Sequence, residues 1–253
     1  MVVCKVCGGD GRPVGHLDFN RTCWDRMGAR VFPVSDERVA YYACPDCGFI
    51  FTPHCDGWSD AAFAARIYNA DYAKADPDPG LERGGIAATG SYWRGAMLAD
   101  VLDGGQGTIR LLDFGAGGDP GYAGRALIDR GFDVVSYDPF FAPGTVLPDE
   151  RFDVVYAIEV IEHCVDVQGA AAQIAAHLDH NGLLYLATML HPFPTPDDIL
   201  DYWYIAPRNG HISVFSREAL EALFAPHGIE LAATDLGVFG YRGRPRFPCK
   251  LFG

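Results

Sequence analysis

The sequence predicts an α/β protein in which a doubly wound, mostly parallel sheet follows a small cysteine-bearing module. Two observations indicate this class. From residue 108 onward, apolar segments of strand length alternate with segments of helical periodicity, and a glycine-rich turn follows the first of them. Near the N-terminus, two Cys-x-x-Cys pairs stand among short strand-like segments. A chain of 253 residues is long enough for one full α/β domain and a smaller appendage.

The first element is a pair of cysteine knuckles. Cys4-x-x-Cys7 and Cys44-x-x-Cys47 are each followed by a glycine, and this spacing lets two thiolates on one tight turn chelate one ion. Two such knuckles complete a tetrahedral four-sulfur site, so we expect a structural zinc ion in a zinc-ribbon-like module. Free thiols and disulfides are the alternatives, and an intracellular setting disfavours disulfides. Three other side chains stay open as substitute ligands: Cys23, His54 and Cys55.

Helical segments follow the module. A helix is predicted over 59–75 with Ser59 as its N-cap, and a second helix over 90–102. A proline-rich break separates the two. This part of the chain is predicted to be a linker or a lid, in which Arg94 is one of the side chains that can face a ligand.

The remaining elements alternate as a doubly wound sheet requires. In the sheet domain, strands are predicted at 109–114, 133–137, 152–158 and 182–188, and helices near 120–131, 167–179 and 216–226. Two short strands, at 30–34 and 39–43, are predicted in the cysteine module before the second knuckle. Two extended segments, 230–239 and 246–252, close the chain and predict an antiparallel hairpin at its end. The predicted division is a zinc-binding module over 1–57, a helical linker over 58–107 and the sheet domain over 108–253.

The distribution of charge and hydropathy excludes two classes of partner. The net charge is −13, and residues 1–55 carry six basic and six acidic side chains, so the rest of the chain holds the whole acidic excess. A nucleic-acid binder needs a cationic face, and no basic run occurs here, so we expect no nucleic-acid partner. No apolar run approaches the ~18 residues of a membrane span, and the first residues do not resemble a signal peptide. We therefore expect a cytoplasmic protein that acts on a small molecule.

The glycine turn after the first predicted sheet strand discriminates between nucleotide cofactors. A NAD-binding fingerprint needs Gly-x-Gly-x-x-Gly, and counted from Gly115 and Gly117 its last position is Pro120, so the fingerprint fails. Asp113 comes two residues before the first glycine, where a carboxylate repels a diphosphate and attracts a cation. A cofactor with an ammonium and a sulfonium group, S-adenosylmethionine, fits this turn best.

These residues resemble the acid-x-Gly-x-Gly-x-Gly pattern of class I S-adenosylmethionine-dependent methyltransferases, with Asp119 at the third glycine position. The resemblance implies that Asp138, which lies 21 residues beyond Gly117, holds both ribose hydroxyls. The residues expected to bind the cofactor are Asp113, Gly115, Ala116, Gly117, Asp138, Pro139, Phe140, Glu159 and Arg94.

Other segments extend the resemblance over nearly the whole chain. Glu159-Val-Ile-Glu162-His163 resembles the segment after the fourth strand of small-molecule methyltransferases, including the ubiquinone-biosynthesis O-methyltransferases, and paired cysteine knuckles in front of such a domain resemble a bacterial subgroup. Only fourteen residues separate Asp138 from Asp153, where the family places a helix and a third strand. We predict that the third strand is short or missing and that Phe140 or its neighbour covers the adenine.

Methyl transfer needs an acceptor held in line with the leaving sulfur, and an acceptor of high pKa also needs a general base. His163 and His211 are the predicted catalytic residues, with a structural histidine as the alternative for each. The aromatic-rich stretch 191–210 is the predicted acceptor lid. We expect a methyltransferase that modifies oxygen, nitrogen or carbon of a small molecule. The alternatives are a non-catalytic sensor or scaffold that binds S-adenosylmethionine and a nucleotide-dependent oxidoreductase.

Overall fold

The computed structural model describes residues 2–102 and 104–252, the last of these without its side chain. The strands in this part of the chain are β1 (Val2–Val3), β2 (Asp10–Asp18), β3 (Arg38–Ala43), β4 (Ile50–Phe51), β5 (Arg110–Phe114), β6 (Asp133–Tyr137), β7 (Phe152–Ile158), β8 (Leu178–Ala187), β9 (Ser213–Val214), β10 (Glu230–Thr234) and β11 (Gly237–Tyr241). The α-helices are α1 (Asp60–Arg66), α2 (Tyr72–Ala75), α3 (Pro79–Gly84), α4 (Gly90–Val101), α5 (Tyr122–Ile128), α6 (Val167–His177) and α7 (Arg217–Phe224). None of these helices is long and apolar enough to cross a membrane.

The chain forms two compact units, and both are discontinuous in sequence. Unit 1 consists of Met1–Pro77, Ile161–Ala170 and Met189–Leu223. Unit 2 consists of Asp78–Val160, Ala171–Thr188 and Phe224–Gly253. These boundaries differ from the predicted division at 57 and 107, because the predicted linker is split between the units and two later segments join the N-terminal part.

Unit 1 is built on an antiparallel sheet with the strand order β1-β2-β3-β4-β9. Its last strand comes from far along the chain, since Ile50 of β4 pairs with Val214 of β9. The predicted strand at 39–43 is β3, whose residues alternate between buried and more exposed. The predicted strand at 30–34 is wrong, and β2 was missed because its glycines and proline are poor strand formers.

The helix predicted over 59–75 is two short helices. Ser59 is the N-cap of α1, as predicted, and its hydroxyl accepts a hydrogen bond from the amide of Ala62 at 3.3 Å. The helix stops at Arg66, and Asn69 then accepts a hydrogen bond from the amide of Asp71 at 3.0 Å. Asparagine side chains compete with the helical backbone in this way, so the chain turns before α2 begins.

Unit 2 contains a mixed sheet with the strand order β10-β11-β8-β7-β5-β6. Strands β5 to β8 are parallel and lie at or near the positions predicted from the sequence, and β11 runs antiparallel to both of its neighbours. Among the described residues, β6 is an edge strand with no third strand beside it. The prediction of a doubly wound sheet with a short or missing third strand is therefore confirmed.

The C-terminal hairpin exists, but its strands differ from those predicted. Both β10 and β11 lie between 230 and 241, and the predicted strand over 246–252 is wrong because this segment ends in a 3-10 turn at Lys250–Phe252. The turn between the strands is closed at Thr234, whose hydroxyl accepts a hydrogen bond from the amide of Leu236 at 3.1 Å. Thr234, Asp235 and Gly237 are turn-forming residues, so the break between the two strands lies inside the segment predicted as one strand.

Candidate functional site

The glycine turn follows the carboxyl end of β5 in unit 2. Gly115 and Gly117 have φ values of +80° and +68°, which residues other than glycine rarely adopt. A Cβ atom on Gly115 would also lie 2.5 Å from the Val160 side chain. The amides of Gly115 and Ala116 donate hydrogen bonds to the carbonyl of Tyr137 on β6, at 2.8 and 3.1 Å. The turn is therefore fixed to the neighbouring strand, and the amide of Ala116 is already used.

Asp113 lies inside the sheet, two residues before this turn. It is 2% exposed, and neither its Oδ2 atom nor the Tyr156 hydroxyl has a partner of hydrogen-bond geometry among the described residues. Burial raises the pKa of Asp113 to about 7, the nearby Asp138 carboxylate raises it further, and the Tyr156 hydroxyl and the Gly124 amide lower it in part. Burial thus places the pKa of this carboxyl group near neutral pH.

Asp138 closes the other side of the turn. Its carboxylate accepts hydrogen bonds from the amides of Gly117, Phe140 and Phe141, at 2.7, 2.8 and 2.7 Å. A carboxylate offers about four acceptor sites, so three amides leave room for a further donor. The predicted ribose contact remains a prediction, and the structure adds a role that the sequence did not indicate, since this carboxylate also fixes the glycine turn.

The residues after Asp138 present apolar surface. Pro139 is exposed, and the rings of Phe140 and Phe141 are 38% and 48% exposed. Both rings follow directly on the carboxylate expected to hold the ribose. This order along the chain fits the prediction that one ring covers an adenine.

Arg94 and Glu159, which the sequence predicted separately, are brought together. The Arg94 guanidinium lies 3.6 Å from the Glu159 carboxylate. Glu159 has φ +54°, and its amide donates to the carbonyl of Ala187 at 2.7 Å. A non-glycine residue with positive φ at a strand end is strained, and such strain collects at functional sites.

The four predicted zinc ligands form one cluster in unit 1. Their sulfur atoms all lie within 4.8 Å of one another, with 3.7 Å between Cys4 and Cys47 and 3.4 Å between Cys7 and Cys44. Tetrahedral zinc with Zn–S bonds of about 2.3 Å needs sulfur atoms about 3.8 Å apart, so the cluster fits the ion. Hydrogen bonding from Cys47 lowers the pKa of Cys4 to about 5, despite its burial, with help from the Val6 and Cys7 amides. A thiolate, the form that binds metal, is thus favoured.

The two knuckles have the same backbone structure. The amides of Gly8 and Gly48 donate to the carbonyls of Cys4 and Cys44, at 3.0 and 2.8 Å, and both glycines have positive φ. The three substitute ligands lie outside this cluster. Cys23 contacts His211, His54 pairs with Glu37, and Cys55 is buried.

The second knuckle also holds the predicted acceptor lid. The His191 ring contacts the Gly48 carbonyl through Nε2 at 2.7 Å, and the Ser216 hydroxyl donates to the Cys47 carbonyl at 2.6 Å. A Cβ atom on Gly48 would come within 2.6 Å of Phe193. These contacts could not be predicted from local patterns, because they join segments that are more than 140 residues apart.

The predicted catalytic histidines lie in unit 1, in a cluster with Glu162. One ligand-type atom from each of Glu162, His163 and His211 falls within 4.8 Å of the others. Glu162 is fully buried and accepts a hydrogen bond from the Tyr204 hydroxyl. The His211 Nδ1 atom lies 2.9 Å from the Tyr204 carbonyl, and the His163 Nδ1 atom lies 3.3 Å from the Tyr68 hydroxyl. The structure thus brings both histidines together and adds a carboxylate that could hold a metal ion with them.

The loop before His211 is rigidly held. Asn209 accepts a hydrogen bond from the Cys23 amide at 3.0 Å and donates to the Ala75 carbonyl at 3.1 Å. Gly210 has φ +87°, and a Cβ atom there would lie 2.9 Å from His163 Nδ1. Only glycine fits, so backbone packs directly against the His163 ring.

The electrostatics of the cluster favour a neutral imidazole. Burial lowers the pKa of His163 well below its usual range, the neighbouring His211 lowers it further, and a hydrogen bond with the Gly210 backbone raises it in part. The two rings meet edge to face with centroids 4.8 Å apart. A neutral imidazole is a lone-pair donor, either to a proton or to a cation.

Comparisons with known proteins agree with the sheet and the glycine turn. A family model described as a methyltransferase domain matches residues 66–234. The ubiquinone biosynthesis O-methyltransferase of Azorhizobium caulinodans is 30% identical over 106 residues, which cover 32% of this chain and 40% of that protein. That of Bradyrhizobium diazoefficiens is 50% identical over 42 residues, 17% of each chain. This chain therefore spans less than half the length of the curated relatives it matches.

A solved structure, that of the pyocyanin biosynthetic protein PhzM, overlaps with a TM-score of 0.46 at 16% identity, covering 72% of this chain and 62% of that one. The strand order defines an α/β fold with a mixed sheet, and the family match covers more than half of the chain. The chain belongs to the methyltransferase-domain family. The expected methyltransferase domain is confirmed at this level.

Proposed function

We propose that this protein transfers a methyl group from S-adenosylmethionine to a small organic molecule. The observation that carries the proposal is the arrangement in unit 2, where the buried Asp113, the glycine turn and Asp138 meet at the carboxyl ends of parallel strands. Ligands of doubly wound sheets bind at this edge.

The residues present fit the cofactor. The buried Oδ2 atom of Asp113 and its pKa of about 7 suit a neighbouring positive charge, and a diphosphate would be repelled. Asp138 retains acceptor capacity for ribose hydroxyls. Glu159, paired with Arg94, lies directly after β7 at the same edge of the sheet. We assign the predicted cofactor residues to this role, with Phe141 added beside Phe140.

When bound, the cofactor supplies a methyl group activated by the sulfonium. The acceptor atom forms a bond to the methyl carbon while the carbon–sulfur bond breaks and its electron pair stays on sulfur. Most of the acceleration comes from holding the acceptor in line. Where the acceptor loses a proton, His163 or His211 is the proposed base.

The acceptor is proposed to be a small oxygen-bearing organic molecule rather than a nucleic acid. Two curated relatives are named as O-methyltransferases of ubiquinone biosynthesis. The predicted lid of unit 1 contains an aromatic cluster suited to an organic ligand. The Trp203 ring meets the rings of Tyr202 and Tyr204 edge to face, and the two tyrosine rings are tilted relative to each other. Tyr204 is buried and Tyr202 and Trp203 are half-buried, and the Arg26 guanidinium lies over the Trp203 ring at 3.8 Å from its centroid.

We propose a structural zinc ion at the cysteine cluster. Four sulfurs at the spacing found here close a tetrahedral site and leave no open position for water. The ion would hold the knuckles, and through Cys47 and Gly48 it would hold the lid. Elemental analysis tests this, and a protein with less than a tenth of an equivalent of zinc, in which all eight cysteines titrate as thiols after unfolding, would overturn it.

Calorimetry with S-adenosylmethionine, S-adenosylhomocysteine and NAD tests the donor. We expect the first two to bind and NAD not to bind. The variant Asp138→Ala should weaken the first two by about 1–3 kcal/mol because ribose hydroxyls lose their acceptor. Absence of binding by both adenosyl compounds rejects the proposal. Tight binding without turnover over a panel of phenols, alcohols and amines would instead favour a non-catalytic sensor.

A further inference from the structure

The cluster of Glu162, His163 and His211 has the composition of a metal centre as well as of an acid–base site. Two imidazoles and one carboxylate are a common ligand set for zinc, and a similar set holds non-haem iron, in both cases with positions left open. The ligand atoms already lie within 4.8 Å of one another in unit 1, with Glu162 fully buried and His211 5% exposed. Small rotations of the side chains would bring them to ligand–ligand distances.

The second observation is the set of contacts that orient each ligand. In a histidine that binds a metal, the N–H of the other ring nitrogen almost always donates a hydrogen bond to a carbonyl or another polar partner. Carboxylates that bind a metal are themselves hydrogen-bonded. His211 places Nδ1 2.9 Å from the Tyr204 carbonyl, so the proton sits on Nδ1 and the lone pair on Nε2. The hydroxyl of the same Tyr204 donates to Glu162. One tyrosine therefore orients two of the three ligands, through its backbone and its side chain.

The third ligand is held from two sides. The His163 Nδ1 atom lies 3.3 Å from the Tyr68 hydroxyl, and Gly210 packs against the ring. The backbone couples these positions further, since the Ile212 amide donates to the Glu162 carbonyl at 3.1 Å. A set of ligands whose rotamers are fixed by a second layer of contacts is what preorganised binding of an ion requires.

We infer that Glu162, His163 and His211 bind a divalent transition-metal cation, distinct from the zinc of the cysteine cluster, and that the acceptor's oxygen binds to it. The second half of this inference rests on the proposed function. A hydroxyl that coordinates a cation loses its proton to solvent far more readily, as coordinated water does. With the ion bound, the histidine rings would act as its ligands, and the cation would take over the role proposed above for a histidine base. The substrate class is therefore hydroxyl-bearing.

Manganese(II) is the probe that separates the two metal sites, because thiolates select zinc whereas carboxylate-containing sites accept manganese. The full-length protein is titrated with Mn²⁺, and the free ion is measured by electron paramagnetic resonance. We expect one equivalent to bind, with at least a tenfold loss of affinity in Glu162→Gln. The matched control is Glu37→Gln, which alters the other glutamate–histidine pair of unit 1, Glu37 with His54 at 2.8 Å, and should bind as the wild type does.

Tyr204→Phe is the second variant, and it guards against loss of folding in Glu162→Gln. It removes only the hydroxyl that orients Glu162, and it should weaken Mn²⁺ by about 10- to 100-fold. Equal Mn²⁺ affinity in the wild type, Glu162→Gln and Tyr204→Phe overturns the inference, as does absence of binding at millimolar Mn²⁺. Calorimetry with S-adenosylmethionine on the same samples separates this failure from failure of the proposed function, because the donor residues all lie in unit 2.

Discussion

The two units of this protein are organised in opposite ways. In unit 2, each parallel strand from β5 to β8 is a local apolar run, and all residues proposed to hold the cofactor except Arg94 lie at the ends of these strands or within a few positions of them. Unit 1 is assembled from three distant stretches of chain, and its sheet is completed by two-residue strands, β4 and β9. The site of unit 2 is thus fixed by local folding, and the site of unit 1 by long-range contacts.

This difference predicts where each unit is vulnerable. Unit 2 has an extended apolar core, in which strands and helices bury residues such as Leu111, Val154 and Tyr185. Unit 1 has a core as well, and its second cysteine knuckle is joined to later segments of the chain by hydrogen bonds at Cys47 and Gly48. Substitutions at such junctions in unit 1 should therefore leave donor binding in unit 2 largely intact.

The largest effect is expected from Cys44→Ser. Structural zinc in finger peptides contributes about 10–16 kcal/mol of apparent binding free energy, which is also folding free energy. The variant should lose zinc and the cooperative unfolding transition of unit 1. Tryptophan fluorescence reports this transition, because three of the four tryptophans, Trp24, Trp58 and Trp203, belong to unit 1. The affinity for S-adenosylmethionine, measured by calorimetry, should change less than threefold.

The control for this experiment is Cys249→Ser, which changes a half-buried cysteine of unit 2 outside the cluster. It should keep its zinc and the fluorescence transition. Loss of donor binding in Cys44→Ser together with loss of the transition would break the comparison, because the two units would then be one cooperative structure.

The sequence predicted the two units unequally for the same physical reason. Hydrophobic periodicity and glycine turns are local signals, so β5, β6 and the residues Asp113 and Asp138 were found. The predicted His163 and His211 were found because each stands in a recognisable segment. Their partner Tyr204 and the contact between His191 and Gly48 could not be predicted, since a pairing over many residues leaves no periodic pattern.

A smaller effect is expected from Gly210→Ala, which tests whether the unit 1 site depends on backbone packing. A side chain at φ +87° is strained, and the new Cβ atom would lie 2.9 Å from His163 Nδ1. Such strain costs about 1–3 kcal/mol, and chemical denaturation followed by tryptophan fluorescence should show it. Gly57→Ala is the control, because a Cβ atom there meets nothing within 4 Å, and it should shift the free energy of unfolding by less than about 0.5 kcal/mol. Equal stability of the two variants would contradict the packing argument.

The smallest effect is the pH dependence of donor binding in unit 2. Burial raises the pKa of Asp113 to about 7, so the carboxyl is mostly protonated at pH 6 and mostly ionised at pH 8. A cationic ligand gains only from the ionised form. The affinity for S-adenosylmethionine should therefore rise by up to about tenfold over this range. The rise is smaller to the extent that the ammonium group of the ligand loses its proton as the pH increases. The free energy of unfolding of the ligand-free protein should decrease as the pH rises from about 4, the ordinary pKa of an aspartate, to about 7. The reason is that Asp113 releases its proton at lower pH in the unfolded chain than in the folded protein.

Asp113→Asn removes the ionisable group and keeps the shape, so calorimetry on this variant should show a flat or falling affinity between pH 6 and pH 8. Arg94→Gln serves as the matched control, because it removes the ion-pair partner of Glu159 and leaves Asp113 in place. The rise in affinity between pH 6 and pH 8 should therefore persist in this variant. A rise of the same size in Asp113→Asn would show that another group titrates. In that case the buried carboxylate would serve the sheet of unit 2 rather than the ligand, and both units would depend on their polar clusters for folding.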